Sequence, residues 1–200
     1  MSDTTEVSSN ECGEEALILV VCTGNVCRSP MAEVLLTQQL QEIGVRATVL
    51  SSGSWSSGQS VSEHAVAAMA ERGLDLSGHV SRLTTAELTS GADLVITMTG
   101  QHVREVLEVD VRAWPRTFAL KALVARIAHV GARRSGETLP SWVVRLHSGR
   151  MPLDLMIDDP AEDVGDPIGQ ALDVYRRTAR ELDTLLELVT DAAFPPNRIS

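Results

Sequence analysis

The stretch Cys22-Thr23-Gly24-Asn25-Val26-Cys27-Arg28-Ser29-Pro30 constrains this chain more than any other. A continuous aliphatic run, Ala16 to Val21, precedes it, and an apolar-periodic segment beginning Met31-Ala32-Glu33 follows. An apolar run of that length suits a central parallel strand covered on both faces. Ser29-Pro30 reads as a helix start, with Ser as N-cap and Pro at the first helical position. Strand, tight loop and helix N-terminus together make an anion site, because unspent backbone N–H groups converge on the loop. A cysteine opens this loop and an arginine closes it.

The rest of the chain has the rhythm such a unit needs. The first helix should run to about Ile43 and stop at Gly44. A second strand is expected over Val45 to Ser51, leaving through a turn at Ser51-Ser52-Gly53-Ser54. Val61 to Glu71 reads as a helix ending at Gly73, and Thr84-Thr85-Ala86-Glu87 as a capping box opening a short helix to Gly91. Asp93 to Met98 is a third strand, Gln101 to Leu107 a helix, and Arg116 to Leu120 a short fourth strand. From Ile168, apolar residues at Leu172, Tyr175, Ala179, Leu182, Leu186 and Val189 mark one face of a long helix that should stop before Pro195-Pro196. Alternating strands and helices predict an α/β fold: a three-layer sandwich with a four-stranded, mainly parallel sheet and helices on both faces. The first loop then sits at the C-terminal edge of that sheet.

Two segments break the pattern. Residues 1–15 carry five acids and no base, and read as a disordered acidic tail; 193–200 read as a short C-terminal tail. Between them, 16–192 is expected to be a single domain with an inserted segment at about 121–160. Lys121 to Arg150 holds six basic residues and one acid, with Trp142 among them. That half reads either as a dock for an acidic phosphoprotein or as a solvated helical lid.

The net charge of −10 argues against general nucleic-acid binding and against an anionic membrane surface. No run of 18 apolar residues exists, and the N-terminus lacks the basic start and apolar stretch of a secretory signal. Three cysteines, two of them five apart in one loop, do not form a disulfide framework; a cytoplasmic, reducing setting is expected. No metal-ligand cluster is visible.

The loop itself specifies chemistry. Cysteine is nucleophilic as thiolate, and a helix N-terminus and a guanidinium both favour that form. Backbone N–H groups of Thr23, Gly24, Asn25, Val26, Cys27 and Arg28 would bind phosphoryl oxygens, and Arg28 would add a bidentate clamp. Gly24 permits close approach of the ligand. Ser29 is placed to hydrogen-bond the Cys22 sulfur, and Asn25 to hold the loop through its amide. A Cys-x5-Arg spacing alone arises by chance; the preceding strand, the Gly and the Ser-Pro start make it specific.

Cys-Thr-Gly-Asn-Val-Cys-Arg-Ser-Pro-Met-Ala-Glu resembles the phosphate loop of the low-molecular-weight protein-tyrosine phosphatases. Ser51-Ser52-Gly53, Gly78-His79-Val80-Ser81-Arg82, Ala92 to Met98 and Asp163-Val164-Gly165-Asp166-Pro167 resemble further family segments, in order. The likeness covers roughly 16–120 and 161–190. It implies strand order 2-1-3-4 and no cofactor. It implies Cys22 as nucleophile, Arg28 as transition-state stabiliser and Asp166 as general acid and base, acting on a phosphorylated protein. It further implies support of the loop by Ser51 and His79, and a reversible disulfide between Cys27 and Cys22; otherwise Cys27 is simply a small buried residue. Asp159-Pro160 is a second Asp-Pro pair, set aside because the full Asp-Val-x-Asp-Pro pattern falls at Asp166. Cys12 is read as inert, His64 as an ordinary helix residue, and Trp55 as either a substrate rim or plain packing.

Two departures bear on substrate. Ile168 stands where tyrosine phosphatases usually carry an aromatic. The Cys-Thr-Gly-Asn start and Asp-Pro-x-Gly spacing resemble the bacterial branch that includes protein-arginine phosphatases, but that branch has threonine at the position of Val26. Valine lacks the hydroxyl that would orient water or a guanidinium, so phosphotyrosine is the first expectation and phosphoarginine the alternative. A thioredoxin-coupled arsenate reductase would need cysteines beyond Cys27, and none follows. A non-catalytic phosphate-binding module would not need nucleophile, arginine and acid together.

Overall fold

The computed structural model describes residues 16–55, 57–156 and 159–195. The expected acidic tail with Cys12, and the last five residues of the expected C-terminal tail, lie outside them. Four strands, β1 (Ala16–Cys22), β2 (Ala47–Gly53), β3 (Leu94–Thr97) and β4 (Thr117–Ala119), form one sheet in the order β2-β1-β3-β4. Every pairing is parallel, so the sheet is wholly rather than mainly parallel. Seven α-helices are described: α1 (Arg28–Glu42), α2 (Glu63–Ala70), α3 (Ala86–Gly91), α4 (Gly100–Val109), α5 (Leu120–Val130), α6 (Leu139–His147) and α7 (Leu172–Ala193).

Alternation along β1 divides the core in two. Ile18, Val20 and Cys22 face a large cluster built with α1, α2, α5, α6 and α7, while Leu19 and Val21 face a smaller one with Val95, Val106 and Ala113. Both faces of β1 are therefore covered, as a continuous apolar strand requires. The C-terminal ends of the parallel strands lie along one edge, and β1 delivers Cys22 there. No helix among the described residues is long and apolar enough to cross a membrane.

Several boundaries differ from expectation for local reasons. Ser51, Ser52 and Gly53 do not form a turn: they continue β2, paired with Val20, Val21 and Cys22. The cap of α3 is Thr85, which accepts from the Leu88 N–H, while Thr84 bonds the Ser52 hydroxyl at 2.8 Å. The last helix begins at Leu172 rather than Ile168, because Gly169 turns the chain at φ +73° and the Gln170 N–H closes on the Pro167 carbonyl. Ile168 is thereby left half-exposed in a loop.

The basic segment is packed into the fold rather than forming a solvated lid. Leu139, Trp142, Val143 and Leu146 of α6 are buried in the main core, and the Trp142 indole donates to the Gly131 carbonyl at 3.1 Å. Arg145 clamps Glu137 through two hydrogen bonds of 2.8 and 2.7 Å, and that guanidinium holds the Glu137 carboxyl down at about 2. Arg126 donates to the Leu146 and Ser148 carbonyls at the end of α6. Arg150 stacks between Trp114 and Phe118, 3.7 and 4.2 Å from the ring centroids. These cations close helix ends and cover rings rather than forming a free basic face.

Candidate active site

The loop between β1 and α1 is held from outside by its carbonyls. The Ser54 and Trp55 N–H groups donate to Cys22 and Thr23, and the Ser62 N–H donates to Val26. Among the described residues, no backbone N–H from Thr23 to Arg28 is spent on a loop partner. The loop's carbonyls are spent on the protein, and its amides are left unspent. Gly53 makes this possible in a way the sequence pattern does not show: a Cβ there would lie 2.7 Å from the Thr23 carbonyl oxygen and 2.8 Å from the Asn25 nitrogen. β2 and the loop touch backbone to backbone.

Asn25 is the keystone. It is fully buried, with φ +53°. The left-handed region suits Asn better than other non-glycine residues. The Arg82 N–H can only donate, and it donates to Asn25 Oδ1 at 2.9 Å. That fixes the amide orientation, so Nδ2 donates to Ser51 Oγ at 2.8 Å and to Ser29 Oγ at 2.9 Å. The Ser51 hydroxyl in turn donates to the Glu33 carboxylate. His79 Nε2 lies 3.1 Å from the Asn25 carbonyl and 3.2 Å from its Oδ1. Ser51 and His79 thus meet at Asn25, from two different elements.

Ser29 does not cap α1 as its residue type predicts. The helix begins one residue earlier at Arg28, and its N-cap Cys27 makes no side-chain cap bond. Ser29 lies within the first turn, where its hydroxyl sits 3.0 Å from Cys22 Sγ. Ser29 Oγ accepts from Asn25, and its proton faces both the sulfur and the Ser52 carbonyl, 3.3 Å away.

Arg28 is buried, and its guanidinium is held on one edge. Nη1 donates to the Val164 carbonyl at 3.1 Å, and Nη2 to Thr23 Oγ1 at 3.3 Å and Asp166 Oδ2 at 2.6 Å. Nε is buried and has no hydrogen-bond partner. A buried, unspent cationic donor on a loop of unspent amides calls for an anionic acceptor. Asp166 is more open, its side chain 39% exposed, and its Oδ1 accepts from the Ile168 N–H. Asp159 merely caps the 3-10 turn at Pro160–Glu162.

The groups open onto a cavity of about 530 Å³, lined by Cys22, Val26, Cys27, Arg28, Trp55, Asp166 and Ile168 among others. Trp55 is 82% exposed, so it is a rim and not packing. Cys27 faces the same space. Burial pushes its thiol up to about 11, although Tyr175, 3.6 Å away, pulls the other way. Both cysteines are free thiols. Tyr175 also receives the Ser62 hydroxyl at 2.9 Å and packs edge-on against His64, whose Nδ1 lies 3.1 Å from the Gln170 carbonyl. His64 is the helix residue expected, in α2, and is also tied to the loop before α7.

His102 also belongs to the site, although nothing in the sequence marks it. It is buried on α4, with Nε2 2.8 Å from Thr23 Oγ1 and Nδ1 2.8 Å from Thr99 Oγ1. A His in an apolar-periodic helix gives no signal of this. Nor does Glu33, Tyr175 or the close approach at Gly53.

A parallel sheet delivering a cysteine, a loop of unspent amides and a buried guanidinium to one cavity defines a cysteine-dependent phosphatase. Residues 17–131 match the low molecular weight phosphotyrosine protein phosphatases, and the chain belongs to that family. A protein-arginine-phosphatase of Bacillus subtilis is 34% identical over 170 residues, covering 84% of this chain and 91% of that protein. The low molecular weight protein-tyrosine-phosphatase Ptp of Acinetobacter johnsonii is 37% identical over 103 residues, covering 52% and 70%. Among solved structures, a cysteine-to-serine variant of the arginine phosphatase YwlE, described as carrying a phosphorylated active-site serine, is 31% identical with a TM-score of 0.69. That match covers 92% of this chain and 99% of that one.

Proposed function

We propose that the protein hydrolyses phosphotyrosine in proteins through a phosphocysteine intermediate, in a reducing, cytoplasmic setting. The observation that carries this reading is Arg28 Nε, a buried donor without a partner beside Cys22. A phosphoryl group in the loop would accept from Nε, from Nη2 and from the backbone amides. Arg28 Nη2 would then exchange Asp166 for a phosphoryl oxygen, which frees Asp166 for proton transfer.

In the first step the Cys22 sulfur forms a bond to phosphorus as the ester P–O bond breaks, and Asp166 gives its proton to the leaving oxygen. Arg28 and the loop amides stabilise the equatorial oxygens. In the second step Asp166 takes a proton from water, which attacks phosphorus. The S–P bond breaks, Ser29 stabilises the departing sulfur, and inorganic phosphate leaves. Cys27 is the partner available to Cys22 for a reversible protective disulfide.

Three apolar side chains, Trp55, Ile168 and Val26, line the cavity and suit an aryl ring better than a guanidinium. A second reading, phosphoarginine, is supported by the B. subtilis relative matched over most of its length. Assaying phosphotyrosine and phosphoarginine peptides side by side, with Cys22→Ser as blank, tests the choice. Higher kcat/KM on phosphotyrosine supports the first reading; the reverse order replaces it with the second. No Cys22-dependent release from either overturns both.

A further inference from the structure

We propose that His102 is a positioning residue for Arg28, acting through the Thr23 hydroxyl. The inference rests on reading Arg28 as the group that grips the phosphoryl oxygens.

Donor and acceptor roles along the chain of contacts follow from its cationic end. A guanidinium has hydrogens only to give. Arg28 Nη2 therefore donates to Thr23 Oγ1 at 3.3 Å. A hydroxyl polarised by a cation on its acceptor side is the stronger donor on its other, so the Thr23 proton is assigned to the atom 2.8 Å away, His102 Nε2, as acceptor. An imidazole that accepts at Nε2 is neutral and carries its proton on Nδ1. That proton goes to Thr99 Oγ1, 2.8 Å away. Thr99 is the N-cap of α4 and also accepts from the His102 backbone N–H. On this assignment every link runs away from the guanidinium, and the last is anchored in a helix end.

The surroundings favour the neutral ring. His102 is only 3% exposed. Burial first, and the Arg28 charge second, lower its pKa to about 4, against opposing pulls from Glu105, Asp163 and Asp166. An imidazolium in that place would set a second cation beside the guanidinium.

The arrangement matters because of what substrate binding must change. Of the two Nη2 contacts, the one to Asp166 has to be given up when a phosphoryl oxygen arrives, and the one to Thr23 has not. Thr23 and the Val164 carbonyl then hold the outer edge of Arg28 alone. The same helix end steadies the second of these: the Gly100 N–H donates to Asp163 at 3.1 Å, and the Val164 N–H donates to the Met98 carbonyl at 2.8 Å. The N-terminus of α4 thereby sets the guanidinium from both sides, with His102 as the link to Thr23.

The test joins kinetics to a spectroscopic readout. His102→Phe and Thr23→Val should each lower kcat on p-nitrophenyl phosphate by about 10- to 100-fold with little change in KM, because a tilted donor array loses transition-state contacts first. The double variant should be no worse than either single one, since both cut the same chain. His102→Gln, which keeps an acceptor, and Thr23→Ser, which keeps the hydroxyl, should recover most of the rate. Nitrogen-15 NMR of the unliganded wild-type protein at neutral pH should show His102 neutral and protonated at Nδ1. The proposal is overturned by an Nε2–H tautomer or an imidazolium, by full kcat in His102→Phe and Thr23→Val, or by losses that add in the double variant. If wild-type protein released no phosphate at all, the reading of Arg28 would fail, while the tautomer would still report on the chain of contacts itself.

Discussion

Replacing Gly53 with alanine tests the dependence of the phosphate loop on its backbone contact with β2. The added Cβ would stand 2.7 Å from the Thr23 carbonyl oxygen, 2.8 Å from the Asn25 nitrogen and 2.9 Å from the Gly24 carbonyl carbon. All three are backbone atoms, so no side chain can swing away. Ordinary contact needs roughly 3.5 Å or more, so relief requires a shift of about half an ångström or greater. Both partners resist it: β2 is locked in register with β1, and Asn25 is tied by four bonds. Overpacking of this kind costs about 1–3 kcal/mol. Because displacement of about 1 Å at a reacting centre costs on the order of 100-fold in rate, kcat/KM on p-nitrophenyl phosphate should fall about 10- to 100-fold. Gly73→Ala is the control. Gly73 has φ +77°, and a Cβ added there would meet nothing within 4 Å, so the variant should lose about 1 kcal/mol in urea unfolding and keep its rate. If Gly53→Ala kept wild-type kcat/KM, with a stability loss no larger than the control, the loop would not depend on this contact and the steric argument would fail.

Four further outcomes follow from the same geometry. Asn25→Ala should lower unfolding stability by about 3–4 kcal/mol in urea titration, since it strands the Arg82 N–H and removes the acceptors and donors meeting Ser51, Ser29 and His79. Asp166→Ala should slow phosphate release from alkyl phosphates far more than from p-nitrophenyl phosphate, while Asp159→Ala should leave both rates unchanged; rates across a leaving-group series check this. Val26→Thr should raise activity on phosphoarginine peptide relative to phosphotyrosine peptide, measured by the ratio of the two kcat/KM values. His102 has a native pKa of about 4 against about 6.5 when unfolded. The unfolded chain therefore binds the extra proton first, and stability should fall as pH drops from about 6.5 to 4. Urea titrations over that range should show a shallower slope for His102→Gln.

Much of this fold is legible in the sequence because its signals are local. The aliphatic run into Cys22, the apolar periodicity of α7 and the spacing from Cys22 to Arg28 all lie within single segments. The strand order 2-1-3-4, expected from the family resemblance, is the order observed. Boundaries depart from expectation where a distant partner overrides local chemistry. Ser51 to Gly53 carry turn residues, yet they extend β2 because β1 supplies the matching edge. Ser29 has the chemistry of a cap, yet its hydroxyl is drawn to a sulfur seven residues back. The basic segment misleads for a related reason: its charge is plain, but its uses are backbone carbonyls, aromatic faces and two carboxylates, Glu137 and Glu181, none of which a spacing reveals. His102 and Thr23 are 79 residues apart, and only the fold brings them together.

If Cys22 carries the phosphoryl group during turnover, acid quenching of the Asp166→Ala variant shortly after mixing with substrate, followed by peptide mass spectrometry, should trap it there. One phosphoryl group is expected on the peptide containing Cys22, absent from the Cys22→Ala protein and decaying as inorganic phosphate appears. Turnover with no phosphoryl group on Cys22, or with one on another residue, would contradict the phosphocysteine mechanism.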